Sequence, residues 1–387
     1  MTLSHWSLDP SVRHLNHGSF GAVPAEVLAR QHALRQEMEA FPDSWFRGLP
    51  ERVAAARGAI AGWLRVPADT LALVPNASAG VSTVLGSLEL PRGARILLSD
   101  HAYGAVAMGA ERAAARAGGS VRTVHVPLDA DDDAVVAAFT GALTGNGDTA
   151  LVVVDQITSA TARILPVDRI ARAARKAGAL TLVDGAHAPG MLPDPVGLSG
   201  EADFWVGNLH KWPCTPRGTA ALVARGERAQ RLWPLTDSWG APYPFPYRFD
   251  QQGTVDLTAW LAAPDALEFV EGRYGWDAAR SFMTELAAQA QETVAKALDT
   301  GLDEVWVNEA PAMRLVPLPE GLAADEDGAV ALQRRILADT GCTTAVTTWN
   351  GRGFLRLSAH LYNTPDDYAH LAEHLPRCLA AAADGRA

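Results

Sequence analysis

Two charged side chains in this sequence stand where an apolar run gives out, and one of them is equipped for chemistry on a carbonyl. In DFWVGNLHKWPCTPRG, Lys211 follows strand-like apolar residues and precedes a turn-rich stretch. A lysine meant for solvent needs no such approach. One that is partly desolvated beside other positive character has its pKa lowered and becomes a nucleophile toward an aldehyde. In LTLVDGAHAPG, Asp184 ends a second apolar run, and His187 comes three residues later. A carboxylate there is costly unless something charged meets it, and a protonated ring nitrogen would suit it. His187 could then reach an oxygen at the ring's other side. Singly, Asp184 reads as well as a strand-end cap, and His187 as a satisfied core histidine.

A third feature changes the odds. LALVP is followed by NASAGVSTVLGSL, a turn and small residues opening a helix. The backbone N–H groups of Ala77 and Ser78, with the Ser78 hydroxyl, could hold a phosphate at that helix N-terminus. Alone, this is more simply a helix cap by Asn76 or Ser78. Asn208 and His210, beside the lysine, could bind the same phosphate. The gap of 27 residues between Asp184 and Lys211 is one crossover plus a strand, so the two can reach opposite parts of one ring from adjacent strands. A phosphate anchor, a ring-nitrogen carboxylate and an aldehyde-binding lysine, each at a strand end and in that order, describe the needs of pyridoxal 5′-phosphate (PLP).

The elements that must position these residues are legible between about 70 and 225. Candidate strands are LALVP (71–75), ARILLS (94–99), VRTVHV (121–126), ALVVVD (150–155), LTLVD (180–184), DFWVG (203–207) and GTAALVA (218–224). Between the fourth and fifth, VDRIARAARKAG puts Val167, Ile170, Ala171, Ala174 and Ala177 on one helical face, with Gly178 as a stop. Alternating strands and helices predict an α/β fold whose largely parallel seven-stranded sheet is sandwiched by helices. Ligands of such sheets bind outside the carboxyl ends of the strands. Residues 233–250, WPLTDSWGAPYPFPYRFD, have no period, and so long an irregular stretch is usually functional. It reads either as the wall of a roomy pocket, with Trp239, Tyr243, Phe245 and Tyr247, or as interdomain packing. Beyond it, a helical region over 256–300, VWVNEAPAMRLVPLP, a helix near 326–340, FLRLS and a helix after Pro365 suggest a smaller C-terminal α+β domain. The expected division is an N-terminal segment 1–20 near the site and the small domain, a large domain 21–255 and a small domain 256–387.

With 387 residues and 48% of them hydrophobic, the chain can bury such a core. A net charge of -11 argues against general affinity for nucleic acid or anionic membrane. Cys214, Cys342 and Cys378 are too scattered for a disulfide framework or a CxxC metal site, and no metal is expected. The first residues lack a long apolar signal region, and no 18-residue apolar run occurs, so a cytoplasmic location is expected.

Over nearly its whole length the sequence resembles fold-type-I PLP-dependent enzymes of the class V aminotransferase group, in the isopenicillin-N-epimerase-like branch. The resemblance is carried by LNHGSFGAVP (15–24), SDHAYGAV (99–106), DQITSATARILPV (155–167), VDGAHAPG (183–190), GNLHKW (207–212), QQGTVDLTAWLA (251–262) and LRLSAHLYNTPDD (355–367). It implies that Lys211 forms the covalent imine with PLP, that Asp184 pairs with the pyridine nitrogen, and that His187 approaches the ring oxygen, as does Thr158 or Gln156. Ala77, Ser78, Asn208 and His210 match phosphate-binding positions. Thr254 matches a residue that reaches the neighbouring subunit's phosphate, which implies a homodimer with shared sites. Tyr103 stacks on the ring by this resemblance, with His101 the competing candidate. Arg356 resembles the arginine that grips a substrate α-carboxylate, and Asn16, His17 and Arg47 match substrate-facing segments. Ala162 stands where a glycine is common, which unsettles that loop.

The implied activity is chemistry at Cα and Cβ of a bulky amino acid or cysteine S-conjugate in natural-product biosynthesis, either C–S β-elimination or epimerisation. Transamination, decarboxylating oxidative deamination and a catalytically silent binding protein are the other readings; the last would be expected to have lost Lys211 or Asp184. Cysteine desulfuration is not expected, because Cys342 does not resemble the mobile sulfur-accepting loop and Cys214 follows Lys211 too closely to be mobile.

Overall fold

The computed structural model describes residues 3–144, 149–305 and 307–383. Seven strands form the large sheet, in the order Leu71–Val74, Ala220–Ala224, Phe204–Asn208, Leu180–Asp184, Thr149–Asp155, Arg95–Ser99 and Ser120–Val124. They are the seven runs expected from the sequence, with ends moved by one or two residues. The last five strands in this order run parallel. Ala220–Ala224 is antiparallel to both its neighbours, because the turn 209–219 returns the chain without a crossover helix. That turn carries Lys211.

The alternation of side chains explains why both faces are apolar. Val152, Val154, Val183 and Trp205 pack on one side, while Leu151, Val153, Leu182, Phe204 and Val206 pack on the other. The crossover helix Val167–Lys176 buries Val167, Ile170, Ala171 and Ala174, as its spacing predicts. Asp155 and Asp184 end adjacent strands and are partners in the parallel register, so both project to the same side of the sheet. Gln156 comes one residue later and therefore projects to the opposite side.

A second sheet, Ala345–Trp349, Arg352–Ser358 and Met313–Pro317, is antiparallel. The helices Trp276–Ala297, Glu326–Thr340 and Pro365–Ala383 lie with it. Arg13–His14 pairs in parallel with Cys342–Thr343, which ties the N-terminus to this region. The sequence reading passed over two helices, Ala25–Ala40 and Pro42–Trp63. The first buries only Val27, Gln31 and Leu34, too thin an apolar stripe to stand out, and the second contains Pro50.

Residues 233–250 hold one short helical turn, Tyr247–Phe249. Phe245 and Phe249 are buried edge-to-face at 5.5 Å, while Trp239 is 87% exposed and Tyr243 and Tyr247 are half exposed. Ala162 has φ of 49°, the left-handed region, where a Cβ costs about 1 kcal/mol. That is the physical reason a glycine suits this position. Among the described residues, no helix is long and apolar enough to cross a membrane.

Candidate active site

The carboxyl ends of the parallel strands meet the 209–219 turn, and there the charged groups collect. Lys211 Nζ lies 2.9 Å from His187 Nε2. Burial first, and the positive charge of Arg356 second, bring the lysine's pKa down to about 7, against a smaller opposing pull from Asp184. Much of this amine is therefore unprotonated near neutral pH. The Asp184 carboxylate accepts the Ala186 N–H at 2.9 Å, and burial pushes its pKa up. Such an acid favours a cationic partner, as a protonated pyridine nitrogen would be.

Asp155 had no role in the sequence reading. It is buried, accepts the backbone N–H of Tyr103, and is held well above the ordinary carboxylate range by burial and by Asp184. Two carboxyl groups in register on adjacent buried strands oppose each other's ionisation, which favours the neutral form of Asp155.

The helix Ala77–Ser87 supplies the anion cradle. Asn208 Oδ1 takes the Ala77 N–H at 2.8 Å, and Asn76 Oδ1 takes the Ala79 N–H at 2.8 Å. Val74 and Asn208 both pair with Ala220, which brings this helix start beside Asn208. Among the described residues nothing engages the Ser78 N–H and hydroxyl or the Asn208 NH2, which leaves donors for a phosphate. His210 Nδ1 donates to the Thr219 carbonyl at 2.9 Å, and burial lowers its pKa to about 4. Its Nε2 would serve a phosphate only once protonated, a change that a bound dianion favours. These donors, with Asp184 and Lys211, fit PLP in kind and arrangement.

Arg356 is buried, and its recorded partners are neutral: Ser159 O at 2.6 Å, Ser159 Oγ at 3.3 Å, Ser19 Oγ at 2.9 Å and Asn16 Oδ1 at 3.4 Å. Among the described residues its Nε has no partner, and burial depresses its pKa to about 10. A desolvated guanidinium without a counter-ion is a receptor for a carboxylate. Tyr103, 48% exposed, is close enough to affect the charge on Arg356. His101 is differently placed: Thr161 Oγ1 and Val126 O hold its two nitrogens at 2.7 Å each, and it stacks on Trp349 at 4.9 Å. Tyr103 is thus the available aromatic group.

The remaining expected residues divide. Thr158 is buried and bonds to Thr161 Oγ1 at 2.7 Å and to the Arg163 N–H. Gln156 is committed on the opposite side of the sheet, donating to Pro195 O at 2.7 Å and accepting from Trp205 Nε1 at 2.9 Å. This placement turns its amide away from the lysine. Arg47 stands exposed on its helix and pairs with Asp43 at 3.0 Å, outside the buried group. Thr254 is exposed on its own chain. Ser159 and Ser19 were missed; Ser159 touches both Arg356 and His187, the latter at 3.4 Å.

Behind the lysine, His17 Nε2 lies 3.0 Å from Lys211 O, and His360 Nε2 lies 3.2 Å from Trp212 O. Cys214 completes a buried His17–Cys214–His360 group. The two imidazoles stack at 3.8 Å with 12° between their planes, so no one ion can lie in the plane of both rings. Donation to the carbonyls is their chemistry. It fixes the backbone after Lys211.

His360 is neutral in the folded chain down to about pH 4, whereas an unfolded histidine takes up its proton near 6.5. A base with a depressed folded pKa stabilises above its unfolded value, and that stability is lost as pH falls from 6.5 through about 4, up to about 3 kcal/mol. Urea unfolding of His360→Gln should therefore show a flatter fall in stability over this window than the parent chain. Equal slopes would mean that His360 is charged in the folded state.

The model of the family described as aminotransferase class-V matches residues 44–371. Isopenicillin N epimerase of Amycolatopsis lactamdurans is 34% identical over 393 residues, covering 95% of this chain and 96% of that protein. L-cysteine desulfhydrase of Arabidopsis thaliana is 26% identical, covering 94% of this chain and 87% of that one. Among solved structures, a C-DES variant with glycine covalently linked to its PLP cofactor superposes with a TM-score of 0.80 at 19% identity, covering 98% of this chain and 99% of that chain.

Proposed function

We infer the reaction from one premise: this chain belongs to the aminotransferase class-V family and is a PLP-dependent enzyme of the fold-type-I α/β architecture. Bound PLP makes the Cα–H of an amino-acid substrate acidic by drawing its electrons into the pyridinium ring. Asp184 keeps that ring nitrogen protonated. Ser78, Asn208 and the start of the helix Ala77–Ser87 hold the phosphate. Arg356 takes the substrate α-carboxylate, which orients Cα toward Lys211, and Lys211 removes the proton as a base whose pKa of about 7 suits work near neutrality.

The substrate class follows as a proposal: a bulky amino acid or cysteine S-conjugate of natural-product biosynthesis. The proton once removed, a β-thiol is expelled (C–S elimination) or the proton returns to the other face (epimerisation). The observation that carries this reading is Arg356, a buried guanidinium with no carboxylate partner among the described residues, acting electrostatically on the lysine. The identities to an epimerase and a desulfhydrase support chemistry at Cα and Cβ over a silent binding role, as does the retention of both Lys211 and Asp184. A persulfide relay is not proposed. Cys342 is buried in the strand Cys342–Thr343 and Cys214 is a buried thiol pushed well up in pKa, so neither is presented as a mobile nucleophile.

The same reading includes a homodimer. Trp239, Tyr243 and Tyr247 expose aromatic surface on the segment that leads to Thr254, a surface a second copy would cover.

Incubation with a cysteine S-conjugate in deuterated water distinguishes the reactions. Free thiol with pyruvate is expected for elimination, and Cα deuterium without thiol for epimerisation. An aldehyde product would point to decarboxylating oxidation. If a broad panel of amino acids yields no thiol, keto acid, aldehyde or Cα exchange, the proposal fails.

A further inference from the structure

We propose that Trp212 is a positioning residue that sets the tautomer of His187, so that this imidazole presents a hydrogen on Nε2 to the site. The indole N–H of Trp212 lies 3.4 Å from His187 Nδ1 and is directed at it. An indole can only donate, so Nδ1 must be the bare, accepting nitrogen. A neutral imidazole then carries its single hydrogen on Nε2, which lies 2.9 Å from Lys211 Nζ and 3.4 Å from Ser159 Oγ. The amine must accept that hydrogen, and only an unprotonated lysine has a lone pair to do so.

Burial first opposes a second proton on the His187 ring, and the positive charge of Arg356, with that of Lys211 whenever it is protonated, opposes it further. His187 is therefore neither a cation nor a base in this site. It is a fixed donor, the form that suits an anionic ring oxygen.

Trp212 is held so that it cannot turn away. It is fully buried, and its carbonyl accepts from His360 Nε2 at 3.2 Å and from the Cys214 thiol at 3.4 Å. Gly190, at φ of 82°, comes so close that a Cβ there would lie 2.9 Å from the Trp212 Cβ. This glycine closes the GAHAPG turn, so the close approach also sets where His187 stands. Trp212 thus packs with its rings and acts through its one polar atom.

The tautomer stands on the protein's own groups, whereas its consequence for the ring oxygen rests on the reading of the pocket as the PLP site. Two measurements keep these apart. In the full chain freed of cofactor, with nitrogen-labelled histidine and His187 assigned by a His187→Gln variant, NMR should show Nε2 protonated and Nδ1 bare. In Trp212→Phe, which keeps the bulk and loses the donor, the Nδ1 signal should move toward the protonated value. The dissociation constant for PLP should rise about tenfold, the worth of one hydrogen bond.

Nδ1 protonated in the parent chain would overturn the proposal, as would a folded Trp212→Phe with the tautomer unmoved. A tautomer that moves while PLP binding does not would uphold the role of Trp212 and displace the ring oxygen from Nε2. Should the variant fail to fold, the measurement on the parent chain decides.

Discussion

Lys211→Ala is expected to give a folded chain that retains PLP only reversibly and turns substrate over about a hundred- to ten-thousand-fold more slowly. The rate loss is that of a positioned proton-transfer group, which contributes about a hundred- to ten-thousand-fold, and the anchoring amine is lost with it. Folding should survive. The lysine's pKa is about 7 in the folded chain against 10.5 unfolded, so between these values the unfolded state binds more protons and burial of the amine costs stability. Alanine removes that cost. The check is borohydride reduction of the holoenzyme followed by denaturation: the parent chain should keep the cofactor on the peptide containing Lys211, and the variant should release it. Cofactor trapped on the variant would place the anchor elsewhere.

Asp184→Ala should act on the other end of the same ring. With its partner carboxylate gone, the pyridine nitrogen loses its proton and PLP loses its electron-withdrawing strength. Cα–H exchange is expected to slow by about a hundred- to a thousand-fold, the usual loss when one preorganised electrostatic partner is removed, and PLP should bind more weakly. Removing Asp184 also lifts the repulsion on Asp155, which lies one strand further across the sheet. Its carboxyl then ionises more readily, so some residual exchange is expected, and Asp155→Asn on top of Asp184→Ala should remove it. Exchange at the parent rate in Asp184→Ala would show that this acid does not serve the ring.

What the sequence reveals of this site depends on distance along the chain. Apolar runs that end in a polar residue disclose Asp184, His187, Asn208 and Lys211, because burial and chemistry change over within a few positions. The same rule applied to ALVVVD would have flagged Asp155; what was missing was the register that sets it beside Asp184. Arg356 is visible as a charge inside an apolar run, but Ser19 and Ser159 are small polar residues whose meeting with it needs the tertiary fold. Gln156 shows the limit of adjacency. Next to Asp155 in sequence, it faces the other way because strand side chains alternate, and no motif states which of two neighbours points inward. His17 and His360 stand in recognisable motifs, but nothing local discloses what they bind, since their partners are backbone carbonyls far away in the chain.

The glycines of the N-terminal segment lead to one further consequence. A Cβ at Gly21 would lie 2.2 Å from His210 O, and one at Gly18 would lie 3.1 Å from Ser358 Oγ. Residues 18–21 are thus wedged between the lysine turn and the strand Arg352–Ser358, and His17 reaches Tyr362 from the same place at 3.0 Å. During synthesis, this segment must wait for nearly everything that follows it before it can settle. The Trp212 carbonyl gains His360, and His17 on the lysine's carbonyl gains Tyr362, only when residues near 360 have emerged. A chain shortened before them would thus own every catalytic side chain up to Lys211 and still lack half of the clamp that aims it.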